Sequence, residues 1–277
     1  VAREQERVGN VAPEPARPGR LRQLDGILAA RERALLTRTD GAFCGAPFVD
    51  VGVGEWPWTT LETARRLHAI APELRVIGVE LDSDRLRHAR RFEAPGLEFR
   101  AGGFELPLAA AERPRIVRAL NVLRGYSEAE AHAAHLKLGA AVISGGLVLE
   151  GTSSASGGVS CVHLLRKHDG ALLREALLFA TDFSQGFAPL LFRDRLPRDL
   201  RRSCERGSAI QRFLTSWTDA FSAARSTGLC ESAALFALSV QILAGRMPGI
   251  VCDAALVERG ALLWQPPGGV PCAGSKP

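Results

Sequence analysis

The stretch Phe48-Val49-Asp50-Val51-Gly52-Val53-Gly54 constrains this chain more than any other. A short apolar run ends in two glycines, and a helical pattern follows from about Thr59 to Ile70. Glycine lacks a Cβ atom, so the chain turns through positive φ at little cost and a ligand can approach the main chain. A strand, a glycine turn and a helix in that order form the βα unit that brings nucleotides against backbone. Such a unit buries itself only with further strands beside it.

Those strands follow. Val76–Val79, Leu97–Arg100, Arg115–Ala119 and Leu147–Leu149 read as strands, alternating with helices at about Ser83–Phe92 and Ser127–Ala141. A helical pattern on Leu21, Leu24, Leu28 and Leu35 precedes them, from Arg20 to near Asp40. Thr59 with Glu62, and Ser127 with Glu130, have capping-box spacing. Apolar strands separated by helices predict a parallel sheet covered on both faces.

The pattern changes after Glu150. Residues 151–158 are Gly, Ser, Thr and Ala, too short and flexible for a crossover helix. Cys161–Arg166 and Leu172–Phe179 then flank Lys167-His168-Asp169-Gly170, a hairpin signal. An Arg-rich loop covers residues 193–206. Helices at Ser208–Ala224, with a Ser208/Gln211 capping box, and at Ala233–Ala244 come next. Ile250–Cys252 and Ala261–Trp264 read as terminal strands. The expected fold is α/β: a Rossmann-like, doubly wound, mostly parallel sheet with an antiparallel hairpin, plus a C-terminal helical extension. Residues 1–19 are expected to form a flexible arm, 20–180 the cofactor-binding domain and 181–277 a helical or mixed extension.

Bulk properties limit the partners. The net charge of +5, from 35 basic and 30 acidic residues, mildly favours anionic ligands. It falls short of the clustered basic stripe of a dedicated nucleic-acid binder. The six cysteines show no C-x-x-C pair, which reads as free thiols in a reducing cytosol. No apolar run approaches the roughly 18–20 residues of a membrane span. A soluble, cytoplasmic protein is expected.

Glu80 ends the second strand, where an acid can accept hydrogen bonds from vicinal ribose hydroxyls. A dinucleotide fingerprint wants a third glycine, and Pro57 stands there instead. Asp50 would also set a negative charge near a pyrophosphate, whereas a cationic sulfonium would welcome it. A nicotinamide-dependent oxidoreductase is therefore disfavoured.

Phe48–Gly54 resembles motif I of class I S-adenosylmethionine-dependent methyltransferases, and Val76–Glu80 resembles their second strand with its ribose-binding acid. The strings Gly54–Glu62 and Arg118–Tyr126 resemble an uncharacterised, largely actinobacterial branch. The resemblance covers roughly residues 20–180. It implies S-adenosyl-L-methionine as cofactor, with Asp50, Gly52 and Gly54 bordering its methionine part and sulfonium. It further implies Glu80 on the ribose, Leu81 packed on the adenine, Gly103 and Phe104 flanking the adenine, and Leu120 and Asn121 at the methionine end. The acid that many relatives carry at the start of the loop holding Gly103 is absent, and Glu105 is its stand-in.

The acceptor side is less legible. Aligning donor and acceptor supplies most of the rate for an in-line methyl transfer, so a base is needed only for an acceptor of high pKa. No [DN]-P-P-[YFW] motif follows the fourth strand, which argues against exocyclic-amine DNA methylation. Asn121 and Tyr126 are the candidate catalytic residues, as open to a structural reading as to a functional one. Arg118 and Arg124 are weaker candidates for the same wall. His132 and His135 read as a solvated helix face rather than a metal site, and His163 and His168 as hairpin surface. No metal is expected. The Arg-rich segment, with Asp194, Asp199 and Glu205, reads as ion-paired surface. The expected activity is methyl transfer to a small molecule. An RNA methyltransferase and a non-catalytic cofactor-binding protein are the alternatives, and a homodimer stays open.

Overall fold

The computed structural model describes residues 17–202, 204 and 207–266. Most of the expected arm, residues 1–16, lies outside the described residues. Residues 18–20 form a turn, and the Gly19 N–H donates to both carboxylate oxygens of Glu62 at 2.9 and 2.8 Å.

The expected strands form with small shifts of boundary. β1 (Phe48–Val51), β2 (Val76–Glu80), β3 (Leu97–Ala101), β4 (Ile116–Leu120) and β5 (Leu147–Ser153) lie parallel in the order β3-β2-β1-β4-β5. No helix follows β5. The chain turns across residues 154–158, and β6 (Val159–His168) returns antiparallel along β5. Asp169 and Gly170, at φ 45° and 86°, then make the expected hairpin turn into β7 (Ala171–Thr181). Residues 250–264 rejoin the same sheet. β8 (Ile250–Val251) pairs with β9 (Ala261–Trp264), and β9 lies antiparallel to β7. The fold is thus a Rossmann-like parallel half continued by an antiparallel half.

Alternation along the strands divides the core between two faces. Phe48, Val76, Ile116, Leu147 and Leu149 point to one face, under α1 (Arg22–Arg31), α2 (Arg33–Thr37), α3 (Trp58–His68) and α4 (Ser83–Ala89). Val49, Val51, Val117 and Val148 point to the other, against Leu138 of α5 (Glu128–Ala141). Further along that second face, α6 (Arg198–Arg202), α7 (Ala209–Arg225) and α8 (Ser232–Ala244) follow one another, and α9 (Ala254–Glu258) precedes β9. α7 and α8 cover an aromatic core of Phe179, Phe192, Phe213, Trp217, Phe236 and Trp264. No helix among the described residues is long and apolar enough to cross a membrane.

Helix starts show which local signals prevail. Ser127 and Glu130 form the expected capping box on α5. Ser208 accepts from the Gln211 N–H, but the Gln211 carboxamide reaches one residue further, to the Gly207 N–H. The expected Thr59/Glu62 box does not form. α3 begins at Trp58 after Pro57, and Glu62 is drawn to Gly19 instead.

Candidate functional site

The strand order reverses between β1 and β4, so a crevice opens beyond the C-terminal ends of these parallel strands, where doubly wound sheets hold ligands. Gly52 and Gly54 turn the chain there at φ 80° and 82°. They are glycines for different reasons. A Cβ on Gly52 would lie 2.7 Å from Val122 Cγ2, so Gly52 lets the turn press against the segment after β4. A Cβ on Gly54 would meet nothing within 4 Å, so the space above it is open.

Glu80 stands beside that space. The Gly54 N–H donates to its Oε2 at 2.7 Å, and the Leu81 and Asp82 N–H groups donate to its Oε1, both at 3.0 Å. These bonds hold a buried carboxylate in one orientation at the end of β2. A carboxylate has about four acceptor sites, so capacity remains beyond the three donors. Leu81, directly after it, is 79% exposed. An anchored acceptor beside a bare apolar side chain suits a ligand with hydroxyls next to an aromatic ring.

Asp50 faces away from that space. It lies opposite Arg118 across β1 and β4, on the face under α1 and α3. Arg118 donates to both its oxygens, Nε to Oδ1 at 2.9 Å and Nη2 to Oδ2 at 2.6 Å, and Thr60 Oγ1 donates to Oδ2 at 2.7 Å. The third Arg118 nitrogen donates to Asp25 of α1 at 2.7 Å and to Thr63 at 2.9 Å. Burial pushes the Asp25 carboxyl up, against the opposing pull of Arg118. The whole set is buried, so Arg118 is a clamp inside the sheet rather than part of an acceptor wall.

Asn121 is placed at the crevice. Directly after β4 it has φ 62°, a left-handed conformation that side chains other than glycine seldom adopt and that concentrates at functional sites. Its N–H donates to the Gly151 carbonyl, and its Oδ1 accepts from the Ser153 N–H at 2.9 Å, which fixes the amide. Phe104 and Tyr126 meet edge to face with centroids 5.7 Å apart, joining the loop after β3 to the segment before α5. Gly103 precedes Phe104 in that loop, and Glu105 pairs with Lys137. Leu120 packs against the core under α1.

The histidines depart from expectation. His168 is exposed at the hairpin tip, but His163 is wholly buried, and His135 turns inward rather than to solvent. His163 Nε2 lies 2.8 Å from Asp199 Oδ1, and His135 Nε2 lies 3.3 Å from Glu150 Oε2. Asp199 is ion-paired, as expected of its segment, but its partners lie on the sheet, where Arg174 Nη2 also donates to it at 2.7 Å. Glu150, His163 and Asp199 offer ligand atoms all within 4.8 Å of one another. The sequence hides this grouping, because its members come from β5, β6 and α6.

Fold and turn together define a Rossmann-like α/β protein with a glycine-lined crevice at its switch point. No protein-family model matches the sequence, and no curated protein matches it. Solved structures similar to it include the CMeT domain of the citrinin polyketide synthase, at 18% identity, TM-score 0.33 and 40% of this chain. Another is the O-methyltransferase NcsB1 from neocarzinostatin biosynthesis, in complex with S-adenosyl-L-homocysteine and 1,4-dihydroxy-2-naphthoic acid, at 24% identity, TM-score 0.32 and 48% of this chain. A third is magnesium protoporphyrin IX methyltransferase from Synechocystis PCC 6803, at 16% identity, TM-score 0.36 and 48% of this chain. The chain spans only 30%, 39% and 54% of their respective lengths.

Proposed function

We propose that this chain binds S-adenosylmethionine at the C-terminal ends of β1 and β2 and directs its methyl group to a small-molecule acceptor. One observation carries the reading. Glu80 is held by three backbone N–H groups with acceptor capacity left over, beside the open space at Gly54 and the exposed Leu81. The cofactor supplies a methyl group on a sulfonium, displaced in line with a neutral thioether as leaving group.

The chain's own residues do the binding and orienting. Glu80 accepts from ribose hydroxyls, and Leu81 covers one side of the adenine. Gly103 and Phe104 flank the other side. Gly54 leaves room at the turn, and Gly52 lets Val122 close against it. Leu120 and Asn121 define the methionine end, with the Asn121 amide fixed by Ser153. Asp50 is a positioning residue in this reading: through Arg118 it locks β1 to β4 and so sets the distance between turn and Asn121. Tyr126, braced on Phe104, stands on the acceptor side.

The test is thermal unfolding with and without S-adenosylhomocysteine. The wild-type midpoint rises with ligand by linkage. Glu80→Ala loses that rise, and Leu81→Asp, at an exposed position, weakens it. Gly52→Val is an unsuitable probe, because its side chain would strike Val122 whatever the ligand. A full ligand-induced rise in both Glu80→Ala and Leu81→Asp overturns the reading.

A further inference from the structure

The grouping of Glu150, His163 and Asp199 is a separate matter from the glycine crevice. Glu150 and His163 are direct cross-strand partners on β5 and β6, and both are buried, at 2% and 0% exposure. They point to the face under α5 and α6, as do Val148 and Leu165 beside them. From α5, His135 Nε2 approaches the Glu150 carboxylate at 3.3 Å, and its ring meets that of His163 edge to face at 6.3 Å. From α6, Asp199 closes the set, and its side chain is 33% exposed, so one side of the group reaches solvent.

A β-bulge supports this arrangement. Leu164 pairs with Ala176 but Leu165 pairs with Arg174, leaving Glu175 as the extra residue on β7. The shift sends Glu175 to Arg166 and Arg31 on one face, and Arg174 to Asp199 on the other. Bulges of this kind re-aim side chains and are concentrated near functional sites.

His163 supplies an independent sign that the group takes a ligand. Its Nε2 is engaged by Asp199, and its Nδ1 is buried with no hydrogen-bond partner among the described residues. A buried polar atom left unpaired costs free energy that a bonded one does not. An imidazole with one nitrogen on a carboxylate and the other open is how histidine binds metal while an outer carboxylate orients it. Imidazole and carboxylate donors together suit Zn²⁺ and its divalent transition-metal neighbours. We propose that Glu150 and His163, joined by His135, bind one divalent transition-metal ion, with Asp199 the outer carboxylate that orients His163 and Zn²⁺ the best match to the donor set. The ion would tie α5 and α6 to the junction of the parallel and antiparallel halves, and the exposed side of Asp199 gives it an entry path.

The experiment uses the full chain, stripped with chelator and titrated with Zn²⁺ alone, with Co²⁺ in parallel for its visible spectrum. The expected result is one ion per chain, a higher unfolding midpoint with Zn²⁺, and ligand-field absorption with Co²⁺. Glu150→Gln and His163→Ala should weaken binding beyond the about 10–100-fold associated with orienting partners. Asp199→Asn, at the more exposed position, should weaken it by at least about 10-fold. His168→Ala, at the hairpin tip, should bind as the wild type does. If either buried variant fails to fold, the wild-type titrations and Asp199→Asn still decide. Absence of a stoichiometric ion in the wild type, or unchanged affinity in Asp199→Asn together with whichever buried variant folds, overturns the proposal and leaves the group as an ion-pair network.

Discussion

Arg115 and Arg118 lie three residues apart and are both buried cations, yet they are satisfied by different chemistry. Arg115 donates to five backbone carbonyls, those of Leu35, Leu36, Arg38, Phe43 and Ala46, and so pins the end of α2 and the loop before β1. Burial draws its pKa down. Arg118 instead sits between two buried carboxylates, which hold its pKa above the usual arginine value despite the desolvation. Arg118→Met leaves Asp25 and Asp50 facing one another without their shared cation. Breaking a buried ion pair from one side costs about 3–5 kcal/mol, and urea unfolding should show a loss of that order. Arg118→Lys should recover only part of it, because an ammonium cannot fork across Asp50 while reaching Asp25. A loss below about 1 kcal/mol in Arg118→Met would contradict this account. The sequence shows Asp50 next to a glycine turn and invites a ligand role. It does not show Arg118, 68 residues away, arriving opposite Asp50 in the sheet. His163 was hidden in the same way. A histidine on a hairpin strand looks solvated until α6 is known to bring Asp199 against it.

At the scale of elements, local signals were legible where both partners lie within one turn. Ser127 and Glu130 cap α5 as their spacing predicts. Thr59 and Glu62 do not, because Glu62 finds the Gly19 N–H, 43 residues away in sequence. The glycine-to-glycine crossing from β5 to β6 was legible as the absence of a helix, since residues 151–158 carry no large apolar side chains with which a helix could pack. A clamp between β3 and the following loop was not. There Glu112 accepts from Arg100 and the Ala109 N–H and pairs with Arg75, and these partners hold its carboxyl down at about 2. The folded value lies below the ordinary 4.5, so the clamp contributes stability above about pH 4.5. That contribution falls away as pH drops through about 2. Glu112→Gln should therefore lower the unfolding midpoint at pH 7 and flatten its decline between pH 4.5 and 2, measured by circular dichroism. An acid limb as steep as the wild type's would show that other carboxylates set it.

At the scale of the molecule, residues 250–264 add two strands to the sheet. The apolar face of α7 was readable in Ile210, Phe213, Leu214 and Trp217, but not the surface it covers. That surface is the antiparallel half, where Phe213 stacks on Phe179 of β7 at 4.7 Å and on Trp264 of β9 at 4.6 Å. Because β9 pairs with β7, β7 with β6 and β6 with β5, the parallel and antiparallel halves share one set of backbone hydrogen bonds. Calorimetric unfolding should then give one cooperative transition whose van't Hoff and calorimetric enthalpies agree. Two resolved transitions would mean that the C-terminal residues fold as a separate unit.

The central claim is that Glu80 and the Gly52–Gly54 turn form a site for S-adenosylmethionine. Isothermal titration of the wild-type chain with that cofactor tests it most directly. The account predicts saturable heat with one site per chain, lost in Glu80→Ala under the same conditions. Absence of saturable binding by a folded wild-type chain would contradict it.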